Sequence, residues 1–489
     1  MKRNFLYSLI FAVVITSCSD RVKSPELIGS LPKIYPDYTG VTIPASIAPL
    51  NFDFVGGECD RIDVTITGSR KGILHINASK VLLPEEEWSH LLTENKDGNL
   101  TFVVCVKQQG KWKKYRPFSI YVCSYPVDRY LVYRKIAPGY EVYSKMGIYQ
   151  RDLHSFKEKA LLENTLVPGM CVNCHSFNKT NPDYLSLHIR GSHGATLMRT
   201  DKHMEFLNTK TDSTLSACVY PYWHPTGKYI AYSVNNTRQA FHVVRNERIE
   251  VLDLASDVIV YHPQTHEILR SPLLQRKEAY ETFPVFSSDG RKLYFCSSPA
   301  KDLPHDYKQV KYSLCSIDFD PVNGTFGERV DTIVNAVKMD KSISFPRPSY
   351  DGRYIMFTLS DYGNFSIWHK EADLWLLDLK NGNVIRPLSE VNSDNTESFH
   401  NWSSESHWFV FSSRRDDGLY TRLYLACIDN KGKISKPFML PQENPEEYYT
   451  NSVYSYNTPD FASKPVLMDI SKVREGIISD KRQHVQIRK

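Results

Sequence analysis

The chain has 489 residues, enough for two to four domains with cores of their own, and 41% of them are hydrophobic, so size imposes no need for disulfide staples. Lysine and arginine (60) barely exceed aspartate and glutamate (55) and are scattered, which excludes the concentrated positive face that nucleic acid requires. The 30 Tyr, 23 Phe and 7 Trp stand in short alternating runs beside turn residues, and this predicts an all-β protein.

The first residues, MKRNFLYSLIFAVVITSCSD, open with Lys2 and Arg3, continue through an apolar stretch from Phe5 to Ile15, and place small residues before Cys18. The stretch is too short to span a bilayer comfortably and fits an export signal over 1–17. Its end resembles the lipobox of bacterial lipoproteins, which would make Cys18 the lipid anchor; a plain signal peptide with an incidental cysteine is the alternative. Residues 18–43, rich in Pro, Tyr and Gly, read as a tether. The expectation is a body held to the cell envelope, at the outer membrane, with either face open.

Between 44 and 126 the runs RIDVTITGS, GILHINAS, LTFVVCV and FSIYVCS alternate with turn residues and predict a small β-sandwich. Export allows Cys105 and Cys123, on neighbouring strands, to pair. Cys218, Cys296, Cys315 and Cys427 lie in apolar runs and read as small buried hydrophobes. Residues 127–183 have weak amphipathic character and dense tyrosine, and read as an extended connector.

That connector carries CVNCH, Cys171 to His175. CxxCH is the short signal for c-type haem: both thiols add to the porphyrin vinyl groups and the histidine ligates the iron. Cofactor-binding residues are then Cys171, Cys174 and His175. The sixth ligand would come from His188, Met198, His193, His203 or Met204, with His188 preferred over Met198, and Arg190 could meet a propionate. A structural zinc site, a thioredoxin-like redox pair and a loop disulfide are the alternatives; zinc would need a second pair of ligands and the redox pair a βαβ context.

An internal repeat follows. YPYWHPTGKYIAYS (from Tyr220), FPVFSSDGRKLYFC (Phe283), FPRPSYDGRYIMFT (Phe345) and FHNWSSESHWFVFS (Phe399) align without gaps, their starts 63, 62 and 54 residues apart. Further strand patterns follow each copy: IEVLDLASD, YSLCSIDFD, DLWLLDLKNG and RLYLACIDNKG. Each unit supplies one four-stranded sheet, and radial stacking of such sheets is a β-propeller. YLSLHIRGSHGATLMRTD (from Tyr184) and YSYNTPDFASKPVLMDI (from Tyr454) look like additional units, giving six blades over 184–489.

The repeats resemble the TolB-like propeller unit, whose core is proline, aromatic, Ser-Pro-Asp-Gly and an apolar strand. With GYEVYSKMGIYQRDL, NTLVPGMCVNCHSF and HIRGSHGATLM, the arrangement resembles exported, lipid-anchored proteins of Bacteroidetes-type bacteria that join a c-type haem motif to a TolB-like propeller. That resemblance implies haem c at Cys171, Cys174 and His175.

No GxSxG elbow, Gly-rich phosphate loop or HExxH helix is present in the sequence. Two functions remain: a membrane-tethered haem protein for electron transfer or sensing with a redox partner, or an envelope scaffold that docks a protein partner on the propeller face, CVNCH being a zinc or disulfide site.

Overall fold

The computed structural model describes residues 21–137, 145–244 and 247–488. Cys18 and the export signal lie outside the described residues, as does part of GYEVYSKM.

The N-terminal strands build one mixed sheet. Arg61–Gly68, Ile73–Ala78 and Gly98–Gln108 form its antiparallel centre. Gly98–Gln108 then pairs along one half with Phe118–Cys123 and along the other with Lys111–Tyr115. A helix, α1 (Glu85–Glu94), buries Trp88, Leu91 and Leu92 in the same core as Val64, Ile66 and Leu100. The tether expected over 18–43 contributes short strands to the fold: Glu26–Ile28 and Thr42–Pro44 add to this sheet as parallel edge strands, and Ile34–Tyr35 pairs with Asp53–Phe54 in a separate two-stranded sheet. Tyr38, Val41 and Ile43 are buried beside them. These strands are two or three residues long, too short for a period-2 pattern to show.

The remaining chain is an all-β, propeller-like body of six sheets. Sheet two begins at Cys171–Asn178, sheet three at Val219–Trp223, sheet four at Ala279–Phe286, sheet five at Ser342–Pro348 and sheet six at Glu397–Trp402, each continuing outward through three antiparallel strands. Sheet one is made from distant parts of the chain. Ser455–Ala462 is its innermost strand, and Tyr130–Ile136, Gly147–Asp152 and Glu158–Glu163 complete it. Each innermost strand touches the next, and the sixth touches the first, so the ring closes. Residues expected as a connector are thus three outer strands of sheet one and the innermost strand of sheet two. Their partner, 455–462, is too far away in sequence for local periodicity to reveal.

Beyond sheet one the chain laces back across the rim. Helix α2 (Ile470–Ile478), N-capped by Asp469, buries Val473 and Ile477. Gln483–His484 then pairs in parallel with the outer edge of sheet two, and Gln486–Ile487 with that of sheet three. Covering an outer strand in this way removes an open ladder.

The repeat has a local geometric cause. Its opening residue takes a left-handed backbone in five sheets: Tyr220 (φ 51°), Phe283 (50°), Phe345 (52°), Phe399 (48°) and Thr458 (47°). Each lies where the ladder slips by one residue. Such a conformation costs a non-glycine residue about 1–2 kcal/mol. The bulge turns the four aromatic rings together at the axis, with centroids 4.7 Å (Tyr220–Phe283), 4.4 Å (Phe283–Phe345) and 4.9 Å (Phe345–Phe399) apart. Burying each ring contributes about 1.5–3 kcal/mol, which outweighs the strain.

The two parts of the chain share a core that includes Trp408, whose Nε1 donates to the Tyr125 carbonyl (3.0 Å). The structure does not bring Cys105 and Cys123 together. Val122 pairs with Gly98, and Cys105 lies further along that same strand, roughly 23 Å away at about 3.3 Å per residue, far beyond disulfide reach. The Cys123 thiol instead hydrogen-bonds that of Cys427, on sheet six. Oxidised glutathione, as a disulfide oxidant, is therefore expected to join Cys123 to Cys427; peptide mapping without reduction checks this, and a Cys105–Cys123 peptide would contradict it.

Candidate functional site

CVNCH lies on the innermost strand of sheet two, and CHSFN (from Cys174) takes the place that FHNWS (from Phe399) holds in sheet six. The bulge falls one residue earlier here, between Val172 and His175. His400 of sheet six donates through Nε2 to the Met356 carbonyl of the preceding sheet (2.9 Å). His175 turns the same way, toward the Val132 carbonyl of sheet one, and burial pushes its imidazole down to about 4. Both of its ring nitrogens are buried and, unlike Nε2 of His400, make no hydrogen bond among the described residues.

Cross-strand pairing fixes the faces. His175 pairs with Leu187, so it shares the side of the sheet that packs on Val132 and Ile148. His188 is the next residue along and points to the opposite face. Met198 also lies on that opposite face, since it pairs with Ser186 and Ser186 with Ser176, and it is sealed in the core with Trp223 and Tyr232. The two preferred sixth ligands are therefore separated from His175 by the sheet itself. Burial, then Arg190, push His188 down to about 3. Of the others, His193 contacts Asp480 (2.9 Å) and His203 approaches Glu205 (3.7 Å) at the surface.

Cys174 is buried and faces the axis, within electrostatic reach of Tyr220 and Arg347. Cys171, half-buried, has its sulfur 3.7 Å from that of Met146. Arg134, half-buried nearby, donates to Asn173. The axial cavity beside Cys174 and His175 has a volume of about 70 Å³. Sites for drug-sized ligands run to roughly 300–1,000 Å³. A c-type haem needs both thiols on one edge of a large planar ring and an accessible imidazole over its iron; the residues as folded do not fit that group. Nor does zinc find a ligand set, because no three His, Cys, Asp or Glu side chains among the described residues could hold a metal ion.

The cavity has features that the repeat pattern did not disclose. Arg347, Tyr222, Tyr350 and Asp460 line it together. Asp460 accepts from the Phe177 amide (3.1 Å) and Asn401 Nδ2 (2.9 Å), and burial pushes its carboxyl up to about 7. Burial likewise raises Tyr222 to about 12 and holds Tyr350 well above the ordinary phenol range, so both remain hydroxyl donors. Arg347 and Asp460 occupy the third position of their repeats, where Val285 stands in sheet four; only the exchange of an apolar residue for a charged one at that position signals them in the sequence.

A second polar cluster forms where the long hairpin Ile230–Val244 and Glu247–His262 reaches across to sheets four and five. Glu250 accepts from Tyr362 (2.7 Å) and contacts His369 (3.2 Å). Asp253 accepts from Asn235 (3.0 Å), Asn364 and Tyr312, and burial pushes it up to about 7. Asp253 is not the repeat counterpart of the half-exposed Asp378: Asp378 pairs with Tyr354 at the start of its strand, whereas Asp253 pairs with Thr237, further along the long hairpin.

Comparison of the sequence with family models and with curated proteins finds no match. Among solved structures, the chain is similar to prolyl oligopeptidase B from Galerina marginata at 12% identity, covering 69% of this chain and 42% of that one, with a TM-score of 0.37. Dipeptidyl peptidase 4 of Porphyromonas gingivalis gives 9% identity, 82% and 53% coverage and a TM-score of 0.30. A DUF4784 family protein from Bacteroides caccae gives 9%, 74% and 95%, and 0.25. The chain spans less than half of the first of these, and likeness at this identity concerns the fold alone.

Proposed function

We propose that the protein is an envelope-tethered, TolB-like propeller that works as a binding scaffold for a protein partner, anchored through Cys18, with CVNCH as part of its ring. The observation that carries this reading is the shared strand position of His175 and His400, CHSFN standing in sheet two where FHNWS stands in sheet six, with both imidazoles buried. A motif that completes a repeat serves the fold. The export signal and the small residues before Cys18 support the tether, and a closed ring with a polar axial cavity supports binding at the propeller face.

The test is the visible spectrum, with pyridine haemochrome analysis, of protein purified from a host that matures c-type cytochromes. The parent is expected to be colourless, and Cys171→Ala/Cys174→Ala to leave its spectrum unchanged. A c-type α band that survives acid–acetone extraction and disappears in the double variant would overturn this reading in favour of a haem-bearing electron carrier.

A further inference from the structure

Three residues lining the axial cavity carry hydrogen-bond donors for which no protein acceptor is found among the described residues. The Arg347 guanidinium gives one N–H to the Pro346 carbonyl (3.0 Å), and its other donors line the cavity with no carboxylate in ion-pair range. The hydroxyls of Tyr222 and Tyr350 line the same space, the Tyr222 ring centroid 5.8 Å from the guanidinium. All three residues are half-buried, so these donors face the water of the cavity, which a ligand oxygen would replace. The Arg347 backbone is itself fixed, because its carbonyl accepts from Trp402 Nε1 (2.9 Å).

Size and charge narrow what fits. A cavity of about 70 Å³ takes a handful of waters, each needing roughly 10–15 Å³ on the same measure, or one small molecule in their place. The guanidinium fork matches the two oxygens of a carboxylate. Asp460 lies within electrostatic reach of Arg347, and a doubly charged oxyanion would be pressed against it. We propose that the axial cavity is a binding site for a small monocarboxylate, held by the Arg347 guanidinium and the hydroxyls of Tyr222 and Tyr350. This site goes beyond the scaffold reading and does not depend on it.

The experiment is calorimetric titration of the full chain with acetate at fixed ionic strength in chloride, with inorganic phosphate titrated in parallel. Saturable acetate binding is expected. Arg347→Gln should weaken it at least about 30-fold and Tyr350→Phe about tenfold, given the usual loss for a hydrogen bond to a charged group. Tyr350→Phe removes a single oxygen and keeps the packing, so it reports even if the Arg347 variant fails to fold. Arg347→Gln, if folded, should also abolish the rise in melting temperature that acetate gives the parent. Absence of saturable acetate binding, an unchanged affinity in a folded variant, or tighter binding of phosphate than of acetate would each overturn the assignment.

Discussion

A version of the chain ending at Tyr454 is expected not to fold. Ser455–Ala462 is the only innermost strand available to sheet one, pairing with Tyr130–Ile136 from Ser455 opposite Ile136 to Ala462 opposite Tyr130. It also buries Tyr456, Phe461 and Ala462 almost completely. Without it the ring has a gap, sheets six and two lose their neighbour, and the Asp460 contacts to Phe177 and Asn401 vanish. The loss exceeds the about 5–15 kcal/mol that a domain has in reserve. Soluble yield and near-ultraviolet circular dichroism check this. A version ending at Ser463 keeps the strand and loses only the rim segment; it should fold with reduced stability. A monodisperse, native-like protein ending at Tyr454 would mean that the ring does not need its closing strand.

Asp128→Ala should be the most damaging single substitution at that closure. The Asp128 carboxylate accepts from Ser403 Oγ (2.8 Å), the Ser404 amide (2.7 Å), Ser404 Oγ (3.0 Å) and Thr180 Oγ1 (3.2 Å). It thereby ties the turns of sheets six and two to the entry of sheet one. Thr180 in turn accepts from the Ser463 amide (2.9 Å). Alanine leaves four donors without their acceptor, those of Ser403 and Thr180 buried and the two of Ser404 half-buried, a loss of about 3 kcal/mol. Asparagine keeps one acceptor oxygen and should cost less than half of that. Urea unfolding midpoints of the three proteins give the comparison, and a shift for the alanine variant within error of the asparagine one would show that the surrounding donors find water instead.

What could be read from the sequence was whatever repeats locally. The turns HPTG and SSDG and the aromatic residues opening each unit marked sheets three to six, because every copy meets the same demand at the axis. Of sheet one only the innermost strand, within YSYNTPDFASKPVLMDI, was legible as a unit; its outer strands were not, because YLVYRKI (from Tyr130) shows its partner only when 455–462 arrives. Thr458 opens its unit without an aromatic ring. CVNCH was legible as chemistry and illegible as architecture: in a five-residue window two cysteines and a histidine dominate, whereas in the frame CHSFN against FHNWS the same histidine is a repeat position. The charged residues at the axis, Arg347 and Asp460, stand in slots that other copies fill with Val285 or Tyr222, so only the assembled ring brings them together.

The way sheet one is assembled also sets a timetable. Gln150 and the Val466 amide, hydrogen-bonded in the finished protein, are separated by 316 residues of chain. At roughly 5–20 residues per second of synthesis, the strands over 130–163 wait about 15–60 s for their partner. Throughout that interval Tyr130–Ile136 presents an unpaired ladder, the kind of surface on which chains aggregate. Arg134 and Lys135 sit in that strand, and positive charge on an unpaired edge is the usual protection against a wrong neighbour. The late emergence of Ser455–Ala462 from the ribosome thus decides when the ring can close and the protein becomes safe to release.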